Sequence, residues 1–202
     1  MRTLHRSDSD TTHVSDSEPE LALQLATRET SDADLRRFLH NAFPDVEIGP
    51  EQKIKIRPHK CVYIHYTSLE DWTDKCDILR CNPEFQANND RRFNYVTINM
   101  DDNPLTCARM LYIFRCFLPQ AREEDVVLVR LFKNSRWQPK TIWENCRILE
   151  DGRTMLILAK YFICGVHLIN VFGCTKESTT YYLNDLIDND WFLRAGNEFY
   201  SS

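Results

Sequence analysis

Residues 105–118 read LTCARMLYIFRCFL and residues 125–133 read DVVLVRLFK. Both runs are rich in β-branched and aromatic residues and are bounded by turn-forming residues, as short strands are. Strands at such spacing, without long helices between them, predict an antiparallel β-barrel or β-sandwich. Asp151 and Gly152 are predicted to form one of the turns between strands. Further runs of this kind are KIKIRP (53–58), CVYIHY (61–66), RFNYVTINM (92–100), TIWENCRILE (141–150), TMLILAKYFICGVHLINVFG (154–173) and TTYYLNDLIDNDWFLR (179–194).

Helical patterns precede and interrupt these strands. The segment 31–44, SDADLRRFLHNAFP, has a capping serine, acids in its first turn and a final proline, which together predict a helix. The segment 68–83, SLEDWTDKCDILRCNP, is predicted as a second helix, capped by its first serine and stopped before its last proline. Alternating leucines indicate a weaker helix at 20–28.

Composition divides the chain into three parts. The 202 residues are 43% hydrophobic, which is enough for one sizeable core. Residues 1–19 are rich in Ser, Thr, Asp and Glu and are predicted to be a disordered acidic tail. Residues 20–45 are predicted to be a helical N-terminal segment, and residues 46–202 a single β-rich domain. The predicted fold class is mainly β (α+β), a small antiparallel barrel with one or two packed helices.

Negative charge is concentrated near the N-terminus. Residues 1–34 contain three arginines and eight acidic residues, so their net charge (3 − 8 = −5) equals that of the whole chain. The remaining residues sum to zero, whereas nucleic-acid-binding domains usually show a clustered basic excess. One local excess could contact phosphates, although a solvated strand edge protected by lysines is the favoured interpretation. It comprises Lys53, Lys55, Arg57 and Lys60.

The hydropathy pattern contains no membrane or export segment. No apolar run approaches the roughly 18 residues of a membrane-spanning helix. The first 20 residues lack the apolar stretch of a secretory signal. We therefore expect an intracellular protein that does not enter a membrane.

Eight cysteines invite a metal or disulfide interpretation that their spacing does not support. No Cys-x-x-Cys pair occurs, and several cysteines lie in apolar runs, where a thiol behaves as a small hydrophobe. We expect reduced thiols and neither a metal nor a cofactor. Bound zinc would point to His59, Cys61 and His65, or to Cys76 and Cys81.

Catalytic templates are incomplete in this sequence. The five glycines are isolated, a Gly-x-Ser-x-Gly motif is absent, and His167 lies in an apolar run without an evident partner. A two-metal nuclease needs clustered carboxylates on a sheet interleaved with helices. The candidate acids, most of them in turn sequences, are Asp101, Asp125, Asp151, Asp188 and Asp190. We expect the protein not to be an enzyme.

The C-terminal half resembles a known family. Segments 165–172 (GVHLINVF) and 181–194 (YYLNDLIDNDWFLR) are similar to the paired patterns GVHLIPAF and YYVN-x-F-x-D-R-D-M-F-x-R of uncharacterised basidiomycete (fungal) proteins, often encoded in or beside CACTA-type transposon reading frames. Trp72 and Thr73 replace paired arginines of that family, and Asn170 replaces a proline. Upstream matches lie at 59–60, 65–70, 82–83, 108–114 and 128–132. The signature residues are Gly165, His167, Tyr182, Asn184, Asp188, Asp190, Phe192 and Arg194.

The layout is also similar to a domain that follows the transposase in plant CACTA elements, and to bromo-adjacent homology (BAH) domains. Both are small SH3-like barrels that bind proteins or chromatin. The resemblance implies an SH3-like or BAH-like barrel that is a non-enzymatic, nuclear interaction module of mobile-element origin or association, with a protein or chromatin partner. The alternatives are a nucleic-acid-binding accessory domain of a transposase, using the basic segment 53–60, and a degenerate nuclease or transposase fragment.

The C-terminal signature is expected to be structural rather than a ligand site. The last strand of a small barrel covers an open sheet edge and buries aromatic side chains. The apolar residues assigned to the core are Tyr182, Leu186 and Phe192. The acids assigned to turns and caps are Asp185, Asp188 and Asp190.

Overall fold

The computed structural model describes residues 31–87, 90–100, 103–136, 147–171, 179–184 and 190–194, with side chains left undescribed at 82–93 and 103–104. The predicted tail at 1–19 and helix at 20–28 lie outside these ranges. The described chain is mainly antiparallel β-sheet, as predicted, but the described strands do not close into a barrel. Helix α1 spans Asp32–Ala42, and residues 190–194 are helical. The strands are β1 Lys55–His59, β2 Cys61–Thr67, β3 Asp74–Ala87, β4 Asp90–Phe93, β5 Tyr95–Met100, β6 Asn103–Leu118, β7 Arg122–Asn134, β8 Ile148–Leu158, β9 Phe162–Val166, β10 Leu168–Asn170 and β11 Thr180–Leu183.

Strands β6, β7 and β8 form a central meander that is covered on both faces. Alternate side chains of a strand point to opposite faces of the sheet. Phe114, Val126 and Leu158 lie on one face and pack against α1. On the other face, apolar side chains that include Ile113 and Val127 pack against the β2–β3 hairpin. Burial on both faces explains why 105–118 and 125–133 are almost continuously apolar.

The larger sheet has the strand order β10-β11-β8-β7-β6-β5-β9, with β1 paired to the same edge of β6 as β5. The two ends of this path, β9 and β10, are consecutive in the chain and separated only by His167. One stretch, residues 162–170, therefore carries both ends of a strongly curved sheet. The second sheet, β2-β3-β4, packs against the face of the larger sheet that carries Ile113 and Val127, and Phe162 of β9 belongs to the same core cluster.

Helix α1 confirms the prediction from 31–44. The Ser31 hydroxyl accepts a hydrogen bond from the Asp34 amide (3.2 Å), and the Asp34 carboxylate accepts one from the Ser31 amide (3.2 Å), which forms a capping box. The apolar stripe of the helix buries Leu39 and Phe43 against the central sheet.

The second predicted helix is wrong, because residues 68–83 form a turn and most of a strand. Val62 of β2 stands opposite Leu79 of β3, and both enter the core. Alternate burial along 75–81 is the period-2 pattern that the capping-box signature at 68–71 had obscured. Pro83 is tolerated in β3 because the register shifts between Asn82 and Gln86.

Asp151 and Gly152 do not form a turn between strands, as predicted, but lie within β8. The register of β7 and β8 shifts between Arg130 and Phe132 because Gly152 and Arg153 of β8 together lie opposite Leu131, which is a bulge in β8. A Cβ atom on Gly152 would lie 2.8 Å from the carbonyl oxygen of Leu131. Glycine is therefore required by the close approach of two strands, and not by a change of chain direction.

Candidate interaction surface

Gly165 of the family signature lies where the β2–β3 hairpin crosses β9. Its amide donates a 2.7 Å hydrogen bond to the Asp77 carboxylate. A Cβ atom at Gly165 would lie 3.2 Å from both Asp77 Oδ2 and Leu79 Cδ2. The missing side chain allows the hairpin to sit close enough for this bond, so the residue has a packing role.

His167 and Asn184 fasten the last strand. The Asn184 amide donates to the His167 carbonyl oxygen (3.0 Å), and the side-chain amide of Asn184 lies 3.4 Å from His167 Nδ1. Tyr182, on β11, is half-buried opposite Ile169 of β10. These contacts place the residues at a strand junction.

The C-terminal helical segment corrects two predictions from the signature. Asp190 is not a turn residue: it is helical, 4% exposed, and bound by Arg194 Nε at 2.5 Å. Phe192 is 56% exposed, whereas its neighbour Trp191 is 2% exposed and donates from Nε1 to Thr97 Oγ1 at 3.0 Å. Successive helical residues point about 100° apart, so Trp191 faces the core while Phe192 and Leu193 face outward. Asp185, Leu186 and Asp188 lie outside the described residues.

The turn between β2 and β3 is closed by its own hydrogen bonds. The Ser68 amide donates to Thr73 O (2.9 Å), and the Trp72 amide donates to Ser68 O (3.1 Å). The Ser68 hydroxyl, which is buried, accepts from the Glu70 amide (3.2 Å). Trp72 sits in this turn with φ of 58° and its side chain 75% exposed.

The turn and the C-terminal helical segment are joined to each other. The Leu69 amide donates to the Asp190 carboxylate, and Arg194 Nη2 donates to Thr67 O at 2.8 Å. The Arg194 guanidinium also lies 5.5 Å from the centre of the Tyr66 ring. Exposed apolar side chains therefore project from two elements that are fixed to one another. We call Trp72, Phe192 and Leu193 the hairpin–helix surface.

Sequence reasoning missed Trp72 because it assigned the residue to a helix. The available signal was its position among turn-forming residues, in Ser68 to Asp74, between two alternating runs. A tryptophan in such a turn cannot reach the core of its own hairpin.

The predicted basic segment lies along a sheet edge. Lys53, Lys55, Arg57 and Lys60 are all exposed. Lys55 and Arg57 lie 5.6 and 5.2 Å from the centre of the Phe117 ring. Arg115, opposite Arg57 in the register, is paired with Asp125 at 2.7 Å. Strand β1 has only β6 as a partner among the described residues, which agrees with an edge strand protected by cations.

The predicted nuclease acids are not brought together where the structure describes them. Asp125 binds Arg115, Asp151 lies 3.9 Å from Arg109 and 3.6 Å from Arg130, and Asp190 binds Arg194. Asp101 and Asp188 lie outside the described residues. Within the ranges the structure covers, groups of three or more potential metal-ligating side chains do not occur.

Arg109 of β6 is surrounded by aromatic rings from β5, β7 and β11. Its guanidinium lies 5.7 Å from the Tyr95 ring centre, 5.9 Å from that of Phe132 and 5.2 Å from that of Tyr181. Burial raises the pKa values of both tyrosines, partly opposed by the guanidinium. The rings thus already hold a cation of this chain, which favours a structural role for the cluster.

The six described cysteines are free thiols. Burial raises the pKa values of Cys81, Cys107 and Cys116 to about 12. Cys76 is exposed, and its Sγ lies 3.7 Å from Nε2 of His65 across the hairpin. The other suggested zinc ligands do not join this pair in a metal-sized group within the described chain.

Comparison with known proteins adds no family assignment. No protein-family model, curated protein or solved structure matches this chain. No helix in the described ranges is both long and apolar enough to cross a membrane.

Proposed function

We propose that this chain is a non-enzymatic interaction module that binds a protein partner, such as a chromatin protein, through the hairpin–helix surface. The observation that carries this proposal is Trp72, a large aromatic residue that is both 75% exposed and in a left-handed backbone conformation. The ring lies outside the core clusters of the described residues.

The free energy of folding does not favour this arrangement. A bulky residue with φ above zero is a genuine outlier, and such a conformation costs roughly 1–3 kcal/mol. Exposure of the Trp72 ring also forgoes the gain from burying its apolar area. Retention of such a residue is explained if the cost is offset when a partner covers the ring.

The surface is also suited to binding because it is held rigid before a partner arrives. The turn is closed by hydrogen bonds from the Ser68 and Trp72 amides and is joined to the helical segment through Asp190 and Arg194. A preorganised surface loses little conformational entropy on binding. Tryptophan is enriched among the residues that contribute most to protein–protein affinity.

The same proposal includes the origin of the domain, its location in the cell and its type of barrel. The similarity of 165–194 to the basidiomycete family supports a mobile-element origin or association, and with it a nuclear location. A BAH-like barrel is supported by the strongly curved sheet, whose two ends are carried by residues 162–170. A transposase reading frame adjacent to or continuous with this one would be expected in the genome, and a neighbourhood of ordinary host genes would contradict this origin.

The binding proposal can be tested by site-specific cross-linking in native cells. A photo-reactive p-benzoylphenylalanine is placed at Leu193, and cross-linked proteins are quantified by mass spectrometry. We expect W72A in this background to abolish the principal cross-links, since Trp72 and Leu193 lie on elements fixed to each other. The matched control is Y161A, which removes an exposed aromatic side chain outside this surface. Cross-links that survive W72A, or that Y161A removes equally, would contradict the proposal.

A second candidate function rests on the basic segment. Four exposed cations, two of them beside the Phe117 ring, could contact a nucleic-acid backbone. Glu123 and Asp125 lie on the same face of the sheet, which weakens the local potential. Salt-dependent retention on DNA that is lost in K55A/R57A would promote this function over the first.

A further inference from the structure

We infer that the hairpin–helix surface recognises a lysine- or arginine-rich extended segment of its protein partner, with one cationic side chain stacked on Trp72. This inference rests on the proposed function and specifies the chemistry of the partner. It is carried by the charges around Trp72, which differ from those of the neutral body of the protein.

Acidic residues flank the exposed tryptophan in the sequence. Between residues 68 and 75 the chain contains Glu70, Asp71 and Asp74 against Lys75, a formal charge of −2 (1 − 3). All three acids are exposed, and Lys75 is half-buried. The turn that presents Trp72 therefore carries a net negative charge, and this favours a positively charged ligand.

Two of these carboxylates, those of Asp71 and Asp74, are held in place by the turn. Asp71 accepts hydrogen bonds from the Thr73 amide (3.1 Å), the Thr73 hydroxyl (2.8 Å) and Lys75 Nζ (2.9 Å). The contacts with Lys75 and Thr73 hold the pKa of Asp71 below its usual value. Asp74 accepts from the Thr67 hydroxyl at 3.2 Å. Asp71 and Asp74 are therefore held within the turn by hydrogen bonds, and Lys75 is the cation paired with Asp71.

An aromatic face next to carboxylates is a cation-binding arrangement. The face of an indole ring attracts ammonium and guanidinium groups, and tryptophan does so most strongly. A guanidinium can also form paired hydrogen bonds with a carboxylate, which an ammonium group cannot. Both an anionic ligand, such as nucleic acid, and an apolar one would have to desolvate these carboxylates without compensation.

The protein contains an internal example of the same recognition beside this surface. Arg194 lies 5.5 Å from the centre of the Tyr66 ring and binds the Asp190 carboxylate at 2.5 Å. The turn combines the same residue types, an aromatic ring at Trp72 and carboxylates on either side of it in the chain, and here the ring faces solvent. A cationic side chain from a partner would stack on Trp72 as Arg194 stacks on Tyr66.

The test uses the full chain and synthetic peptides. Four fluorescent nine-residue peptides share a Gly/Ser scaffold and carry a central Arg-Arg, Lys-Lys, Leu-Leu or Glu-Glu pair, and binding is measured by anisotropy at low and at physiological salt. We expect the Arg-Arg peptide to bind most tightly, Lys-Lys next, and the other two at least about tenfold more weakly. Affinity for the basic peptides should fall as salt rises.

Variants then locate the site. W72A should weaken binding of the Arg-Arg peptide about tenfold, and W72F should restore most of it, because a phenyl face still attracts a cation. E70Q/D71N/D74N should weaken binding and flatten its salt dependence, while Y161A should change neither. Circular dichroism melts of each variant verify that the fold is retained.

Several results would overturn the inference. They are equal binding of the Leu-Leu or Glu-Glu peptide, tighter binding of a single-stranded oligothymidylate, an unchanged affinity in W72A, and no binding by any peptide. If one of these results is obtained but Trp72-dependent cross-links from Leu193 are still found, the proposed function stands, and the partner has a different chemistry. Loss of both the peptide binding and the Trp72-dependent cross-links would reject the function as well.

Discussion

Two adjacent residues of the C-terminal segment provide the sharpest test of the structure. Trp191 is 2% exposed and Phe192 is 56% exposed. Truncating each to alanine removes an aromatic ring from the same short helical segment with the same local backbone propensity. The two variants therefore differ mainly in whether the ring was buried.

The structure sets the expected difference in stability. Truncation of a buried tryptophan costs about 3–5 kcal/mol through lost transfer free energy and a residual cavity. W191A also leaves the buried Thr97 hydroxyl without its 3.0 Å donor, so we place it in the upper half of that range. F192A should stay within about 0.5 kcal/mol of wild type, as exposed substitutions usually do.

Urea unfolding followed by far-ultraviolet circular dichroism measures both values without relying on tryptophan fluorescence. At this chain length, the predicted cost of W191A corresponds to a fall in Tm of roughly 8–20 °C. An intermediate variant, W191F, keeps most of the ring but loses the indole donor and should lie between the two. If F192A is destabilised as much as W191A, or W191A loses less than about 1 kcal/mol, the described orientation of the segment is incorrect.

Three further predictions concern other contacts. D190A should destabilise the fold by about 3 kcal/mol, because it removes the carboxylate that pairs with the partly buried Arg194. The control is D32A, which breaks an exposed pair of the same i,i+4 spacing and should cost no more than about 0.5 kcal/mol. Equal costs of the two variants would refute the special role of Asp190. G165A should lower the free energy of unfolding by about 1–3 kcal/mol, because the added methyl group overpacks against Asp77 and Leu79. The control G49A, where the nearest atom to the added Cβ would be 3.9 Å away, should leave it unchanged in the same urea assay. In a C146S/C174S background at pH 8, a thiol reagent such as DTNB should modify the exposed Cys76 quickly. Cys81, Cys107 and Cys116 should react only in urea, because burial raises their pKa values to about 12 and almost none of their thiolate exists in the folded state. Fast reaction of all six described thiols in the native protein would contradict the described core.

Strong local patterns in the sequence were sufficient for the helix and for the central strands. The segment 31–44 contains a cap, acids in the first turn, an apolar stripe and a terminating proline, and α1 begins and ends close to where these signals place it. The runs at 105–118 and 125–133 are too apolar for an exposed element and too β-branched and aromatic for a favoured helix. In these segments local propensity and tertiary environment agree.

Segment 68–83 shows where local signals fail. Its first four residues fit a helix N-terminus as well as they fit a tight turn, and only the pairing of β2 with β3 distinguishes the two. The same holds for Asp151 and Gly152, whose turn-forming character serves a bulge between long strands. Strand pairing joins residues distant in the chain, so a short window of sequence cannot contain the deciding interaction.

The hairpin–helix surface was decided by tertiary structure alone. The sequence shows Trp72, Trp191 and Phe192 as three aromatic residues of similar hydrophobicity, and the C-terminal pattern had assigned Phe192 to the core. Which ring is buried depends on the rotation of the helical segment, and this is fixed by Asp190 and Arg194 through contacts with the turn more than 100 residues earlier. Composition thus determined that a β-rich core would form, whereas exposure of individual aromatic side chains was set by long-range hydrogen bonds, because burial is a property of position in the folded chain and not of residue type.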